Sequence, residues 1–173
     1  MKIVENKEKY MDWIKRIHIF SFLPEDEVTK LIERCALQVY EENEIVISQG
    51  EVNQDFYAVV DGSVQVSVTE ETGNDVYIST IGGREVFGEA GIFMKMKRTA
   101  NITSLGQTVI LRAPRKEIFE MIKKNPVSGN KFLLMIIHSL LRKLREANQE
   151  LAYERKMDSD QGDIDALVKE FSL

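Results

Sequence analysis

The sequence predicts an α+β chain: an antiparallel β roll of jelly-roll type, flanked by N-terminal helices and by a C-terminal helix pair whose last member is long. Three observations predict it. Apolar residues recur at helical spacing from Glu5 to Arg34, six short alternating runs lie between about Leu37 and Ala113, and the helical period returns at Arg115. The chain then divides into a helical region over 1–36, the β roll over 37–113, C-terminal helices over 114–157 and a tail over 158–173.

In the first region, Pro24 followed by Glu25, Asp26 and Glu27 reads as the first turn of a helix that carries Val28, Leu31, Ile32 and Cys35 inward. Trp13, beside Ile14 and Ile17, reads as a helix-to-domain contact. The strand candidates are "EIVIS", "FYAVV", "VQVSV", "VYISTI", "NITSL" and "TVILRA". Asp61-Gly62 and the "ETGND" stretch around Gly73 supply residues that tolerate positive φ at tight connections. Strict alternation would turn Val64, Val66 and Val68 to one side and Gln65, Ser67 and Thr69 to the other. Even spacing of the runs favours an arrangement that protects its edges.

After the roll, "RKEIFEMIKK" is interrupted at Asn125-Pro126, and a second helix is expected from about Val127 to Lys156. Along it Leu133, Ile137, Leu140, Leu144, Ala147 and Leu151 follow steps of four and three, the spacing of a coiled-coil seam, with Phe132, Ile136 and Leu141 on a flanking face. A single apolar face would pack on the β domain of the same chain; two faces point to a homodimer through 127–156. In the tail, "DSDQGDIDALVKEFSL" gives a Gly-broken acidic linker and a short amphipathic piece with Ile164, Leu167, Val168 and Phe171.

Composition excludes several functions. At 173 residues and 43% hydrophobic content there is material for one domain with an appendage. The net charge of -5 with no long basic run argues against direct nucleic-acid binding. The strongest apolar run, Phe132 to Leu141, is far short of the roughly 20 residues of a membrane span. One cysteine and an N-terminus without a secretory apolar core lead us to expect a cytoplasmic protein. His18 and His138 sit on apolar helical faces as core or boundary residues, without partners at metal-ligand spacing. Neither a metal site nor a catalytic set is expected, so the chain does not read as an enzyme.

The candidate site lies in "VFGEAGIFMKMKRTANITS", residues 86–104. Gly88 lets the backbone approach a ligand, and the amides around Glu89, Ala90 and Gly91 can form a nest for an anion. Arg98 offers a planar fork for a phosphate, Thr99 a hydroxyl and Ala100 an unencumbered amide. Glu89 is an acceptor suited to a sugar hydroxyl. The same spacing also fits a buried Glu-Arg pair that pins the loop.

"FGEAGI", five residues, then "RTANITS" resembles the phosphate-binding cassette of cyclic nucleotide-binding domains. "VISQGEVNQDFYAVVDG", with Gly50 and Gly62 in place, is similar to that family's other signature. Asn53 stands where a small residue is usual, and Ala58 interrupts the apolar run; we expect these to affect a turn and a strand more than the ligand. The resemblance runs from about Phe20 to Lys156, nearest to the regulatory domain of catabolite-activator-type proteins. It implies that Arg98 binds the exocyclic oxygens of a cyclic phosphate, Glu89 the ribose 2'-hydroxyl, and Gly88, Ala90, Thr99 and Ala100 complete the nest. Val66 and Ile78 fall where relatives line the pocket with apolar side chains. Lys143 and Leu144 stand where relatives place hydroxyls against adenine. A threonine after the arginine is similar to cGMP-preferring members; cAMP is favoured over cGMP because bacterial-looking relatives mostly use it. Relatives continue into a winged helix-turn-helix, and with fewer than 20 residues after Lys156 none is expected here. Output would go to an effector protein, with Gly129 as a hinge. The competing expectation is a structural or interaction module of the same fold that binds no cyclic nucleotide.

Overall fold

The computed structural model describes residues 1–171, with side-chain surroundings for 1–153 and 155. Two antiparallel sheets and flanking helices form, as the sequence predicts. The first sheet has the order β1-β2-β9-β4-β7, with β1 Lys2–Ile3, β2 Ala36–Tyr40, β4 Phe56–Asp61, β7 Val86–Phe87 and β9 Thr108–Ala113. The second has the order β3-β8-β5-β6, with β3 Ile45–Ile47, β5 Ser63–Thr69, β6 Asp75–Gly82 and β8 Asn101–Ser104. Five α-helices are described: α1 Met11–Lys15, α2 Glu25–Arg34, α3 Glu89–Phe93, α4 Arg115–Lys124 and α5 Pro126–Phe171.

Every one of the six expected runs is a strand. Three strands were not expected. β1 and β7 have two residues each, too short to show a period, and β2 "ALQVY" buries neighbouring Leu37 and Gln38 where a half-buried strand would alternate. Gln38 is accommodated because its side-chain oxygen accepts a hydrogen bond from the Tyr40 hydroxyl at 3.2 Å. In β5 the register against β6 shifts between Val66 and Ser67, so the expected alternation fails at that point. Ser67 is buried while Val66 and Val68 are half-buried.

Two apolar cores lie on opposite faces of β4. Phe56, Ala58 and Val60 belong to a core shared with Ile14, Ile17, Phe20, the inner face of α2, Ile118 and Phe132. Tyr57 and Val59 belong to a second core with Tyr40, Val64, Phe87, Ile102 and Ile110. Phe132, at the start of α5, stacks on Phe20 at 6.4 Å and meets Phe56 edge-on at 5.8 Å.

The helical preface is less continuous than its periodicity suggests, since α1 ends at Lys15 and α2 starts only after Pro24. Trp13 is 46% exposed, whereas Ile14 and Ile17 are buried, so the indole is not the contact that the sequence suggests. His18 and His138 are exposed. Cys35 is buried, which pushes its thiol up to about 12.

Two compact units are present, Met1–Ile136 and Ile137–Leu173. α5 is one continuous helix past Gly162, where the sequence suggests a break. The apolar tail side chains Ile164, Leu167, Val168 and Phe171 lie outside the described side chains. Within the first unit α5 packs closely on α4: a Cβ on Gly129 would sit 2.9 Å from Ile122 Cα.

Phe132→Ala removes an aromatic from the junction of Phe20 and Phe56 and is expected to cost about 3 to 5 kcal/mol, read as a lower urea midpoint.

Candidate functional site

β7 delivers the chain to Gly88, which adopts φ 78° and ψ 12° and opens α3. This left-handed conformation suits glycine, and the space is closed as well. A Cβ on Gly88 would lie 3.0 Å from Arg98 Nη1 and 3.1 Å from the Asp55 carbonyl oxygen. On Gly91 it would lie 2.7 Å from the same Nη1 and 3.0 Å from Arg98 Cζ. The two glycines therefore leave the room that the guanidinium occupies.

Arg98 is held from both ends. Its backbone N–H donates to the Glu51 carbonyl and its carbonyl accepts from Gly50 N–H, each at 2.8 Å. Its side chain is only 9% exposed. Nη1 donates to the Gly88 carbonyl at 3.1 Å, and Nη2 donates to the Asp55 carbonyl at 2.6 Å and to Asn53 Oδ1. Nε is buried without an acceptor among the described residues. Tyr57, stacked on Phe87 at 5.1 Å, lies beneath the guanidinium with its ring centroid 5.8 Å from Cζ. Burial pushes the Tyr57 hydroxyl up from its ordinary value, and that hydroxyl accepts from Asn53 Nδ2 at 3.2 Å. Asp55 in turn pairs with Arg112 at 2.5 Å.

Asn53 is thus part of the arginine's environment, contrary to the expectation that it bears on a turn more than on the ligand. Its amide can reach where a small side chain cannot. Asp55, Tyr57 and Gly91 likewise surround Arg98; only the small size of Gly91 was visible as a signal in the sequence.

The other expected residues are placed as follows. Glu89 is 4% exposed, Ala90 and Thr99 are exposed, and Ala100 is half-buried. Val66 is half-buried on β5 and Ile78 is exposed on β6. Lys143 and Leu144 belong to the second unit, where Leu144 is exposed and Lys143 half-buried. Among the described residues no group of three or more His, Cys, Asp or Glu is placed to hold a metal, and no helix is long and apolar enough to cross a membrane. A buried guanidinium whose Nε has no acceptor among the described residues, lying between two glycines, can bind an oxyanion.

Residues 37–125 match the family model described as "Cyclic nucleotide-binding domain". Among curated proteins the chain is 29% identical over 114 residues to human cGMP-dependent protein kinase 2, covering 65% of this chain and 15% of that protein. It is 26% identical over 133 residues to the cyclic AMP receptor protein of Thermus thermophilus, covering 77% of this chain and 60% of that protein. The chain thus spans a small part of the kinase and three fifths of the receptor. Among solved structures, a cyclic nucleotide-binding domain from Methylobacillus flagellatus superimposes with a TM-score of 0.78 over 88% of each chain at 18% identity, a likeness of fold. The catabolite activator protein of Thermus thermophilus gives a TM-score of 0.65 at 25% identity, over 79% of this chain and 62% of that one.

Asn53→Ala removes a competitor for the guanidinium. It is expected to tighten binding of an anionic ligand at Arg98 by roughly fivefold, about 1 kcal/mol, in calorimetric titration.

Proposed function

The chain belongs to the cyclic nucleotide-binding domain family, and from that premise we propose that it is a regulatory module that binds cAMP, or less tightly cGMP, and passes the event to a partner protein. The observation that carries the proposal is the buried Arg98 guanidinium with its unused Nε donor, held between Gly88 and Gly91. In this reading Arg98 takes the exocyclic phosphate oxygens, with the amides of Gly88, Ala90 and Ala100 and the Thr99 hydroxyl around them. Glu89 takes the ribose 2'-hydroxyl. Val66 and Ile78 line the apolar side. cAMP is favoured on the resemblance to catabolite-activator-type regulatory domains; Thr99 is the residue that would favour cGMP, by reaching a guanine amino group.

Transmission requires that the ligand bind one helix arrangement better than another. Two contacts support a route from the cassette to α4. Arg115 Nε donates to the Ile92 carbonyl at 2.6 Å, and Phe93 meets Phe119 at 6.5 Å. The second unit supports homodimerisation through 127–156, since Ile137, Leu140, Leu144 and Leu151 are all exposed. We place the module in the cytoplasm as a regulatory rather than a catalytic protein.

A second reading is an interaction module of the same fold with no cyclic nucleotide. It is favoured by the fact that Gly88, Asn53 and Asp55 already accept three hydrogen bonds from Arg98.

Calorimetry with cAMP and cGMP separates the two readings: the absence of both heat and thermal shift at millimolar ligand overturns the first. With binding established, Arg98→Ala is expected to weaken it by about 2 to 5 kcal/mol, and unchanged affinity would mean that the phosphate lies elsewhere. In sedimentation at micromolar concentration a dimer is expected that Leu140→Asp converts to monomer; a wild-type monomer, or a dimer indifferent to the substitution, contradicts the seam.

A further inference from the structure

We infer that a second ligand site, separate from the cassette, lies where α1 meets the turn between β6 and β7, and that it takes a planar ring carrying an oxyanion. A cavity of about 230 Å3 there is lined by Trp13, Arg16, Val60, Asp61, Gly83 and Arg84. Four observations carry the inference.

First, both guanidiniums are unused. Among the described residues neither Arg16 nor Arg84 makes a side-chain hydrogen bond or ion pair, whereas Arg34, Arg98, Arg112 and Arg115 are all engaged. An arginine fork without a carboxylate is matched to an incoming carboxylate or phosphate.

Second, the indole is presented rather than buried. Trp13 is 46% exposed although Ile14 beside it is fully buried, and Tyr10 meets it edge-on at 6.1 Å with an interplanar angle of 87°. An edge-to-face contact with a single neighbour leaves at least one indole face for a ring to stack on.

Third, Arg84 has φ 73°, a left-handed conformation unfavourable for a long side chain, and Gly83 stands next to it without taking that conformation. The turn is fixed by Arg84 N–H donating to the Val59 carbonyl at 2.7 Å and by Gly82 N–H donating to Glu85 Oε2 at 2.9 Å. The turn sets the backbone of Arg84, whose side chain lines the cavity.

Fourth, the cavity is locally cationic. Arg16 and Arg84 against Asp61 leave one net positive charge in a chain whose net charge is -5. Asp61 limits the preference to ligands that can accept from both forks while keeping their own oxygens away from its carboxylate.

Trp13 is the single tryptophan of the chain, so tryptophan emission comes from a side chain that lines this cavity. The full chain is titrated with phenyl phosphate and with benzoate, which separate a phosphate-taking from a carboxylate-taking site. Phenol and inorganic phosphate supply the ring and the charge singly. A saturable change below about 10 mM is expected with at least one aromatic oxyanion, and none in that range with phenol or inorganic phosphate. Arg84→Asn and Arg16→Gln are each expected to raise the half-saturation point about tenfold or more; asparagine accepts positive φ, so the turn is retained. Arg98→Ala is expected to leave the response unchanged. Emission that does not respond to either aromatic oxyanion overturns the inference. So does a midpoint unchanged from wild type in both arginine variants, or loss of the response in Arg98→Ala, which would put the ligand at the cassette.

Discussion

The whole arrangement depends on a strand that is apolar on both faces. β4 reads "FYAVVD", and all five of its first residues are buried. Such a strand cannot be left with one side in water, because each face removes large side chains from solvent at roughly 25 cal/mol per Å2. One face is covered by the second sheet through Tyr57 and Val59, the other by the N-terminal helices, α4 and the start of α5. The polar residues just before β4 are therefore fixed by two cores at once. Asn53 and Asp55, which hold the cassette arginine, gain their precision from that anchoring and not from the loop in which they lie.

A guanidinium at 9% exposure has to be compensated by acceptors, since an unpaired buried charge costs several kcal/mol. Two of its three protein acceptors are backbone carbonyls, of Gly88 and Asp55, whose positions follow from the fold. The third, Asn53, is a side chain and can turn away. The unused Nε is the remaining imbalance. A phosphate is the ligand chemistry that would repair it, and it would do so in competition with Asn53 rather than with the backbone. Affinity and selectivity at this site are thus tunable at a position that lies 45 residues away in sequence.

The regular strands and the cassette were legible because their signals are local. Short runs of β-branched and aromatic residues between turn residues mark β3 to β6, β8 and β9, and the spacing from Gly88 to Arg98 marks the candidate site. What escaped has a physical reason in each case. β1 and β7 are held by their neighbours' hydrogen bonds rather than by their own sequence, and the bulge between Val66 and Ser67 inverts a pattern that is otherwise regular. The surroundings of Arg98 are contributed by Asn53, Asp55 and Tyr57, whose nearness to it is created only by folding. Trp13 was misjudged because helical periodicity gives the angle of a residue around its axis, and α1 is too short for that angle to be fixed over several turns.

The start of α5 bears on how a signal could leave the cassette. Gly129 looks from the sequence like a hinge, but a glycine serves as one only where its neighbours leave it room to change φ and ψ. Here the backbone of Gly129 is pressed against Ile122, at a separation that would not admit even a methyl group. Asn125 adds a second tie: its carbonyl accepts from Gly129 N–H at 2.8 Å and its Nδ2 donates to Glu27 Oε1 on α2. Phe132 adds a third in the core. A glycine packed this closely makes α4 and the first turns of α5 move as one block. A pull on α4 through Arg115 and Phe119 would then be spent on the contacts around Glu27 and Phe132, not on bending at Gly129. The helix break at Asn125-Pro126 separates the two helices, and the compliance that a switch would need would lie at the borders of the block.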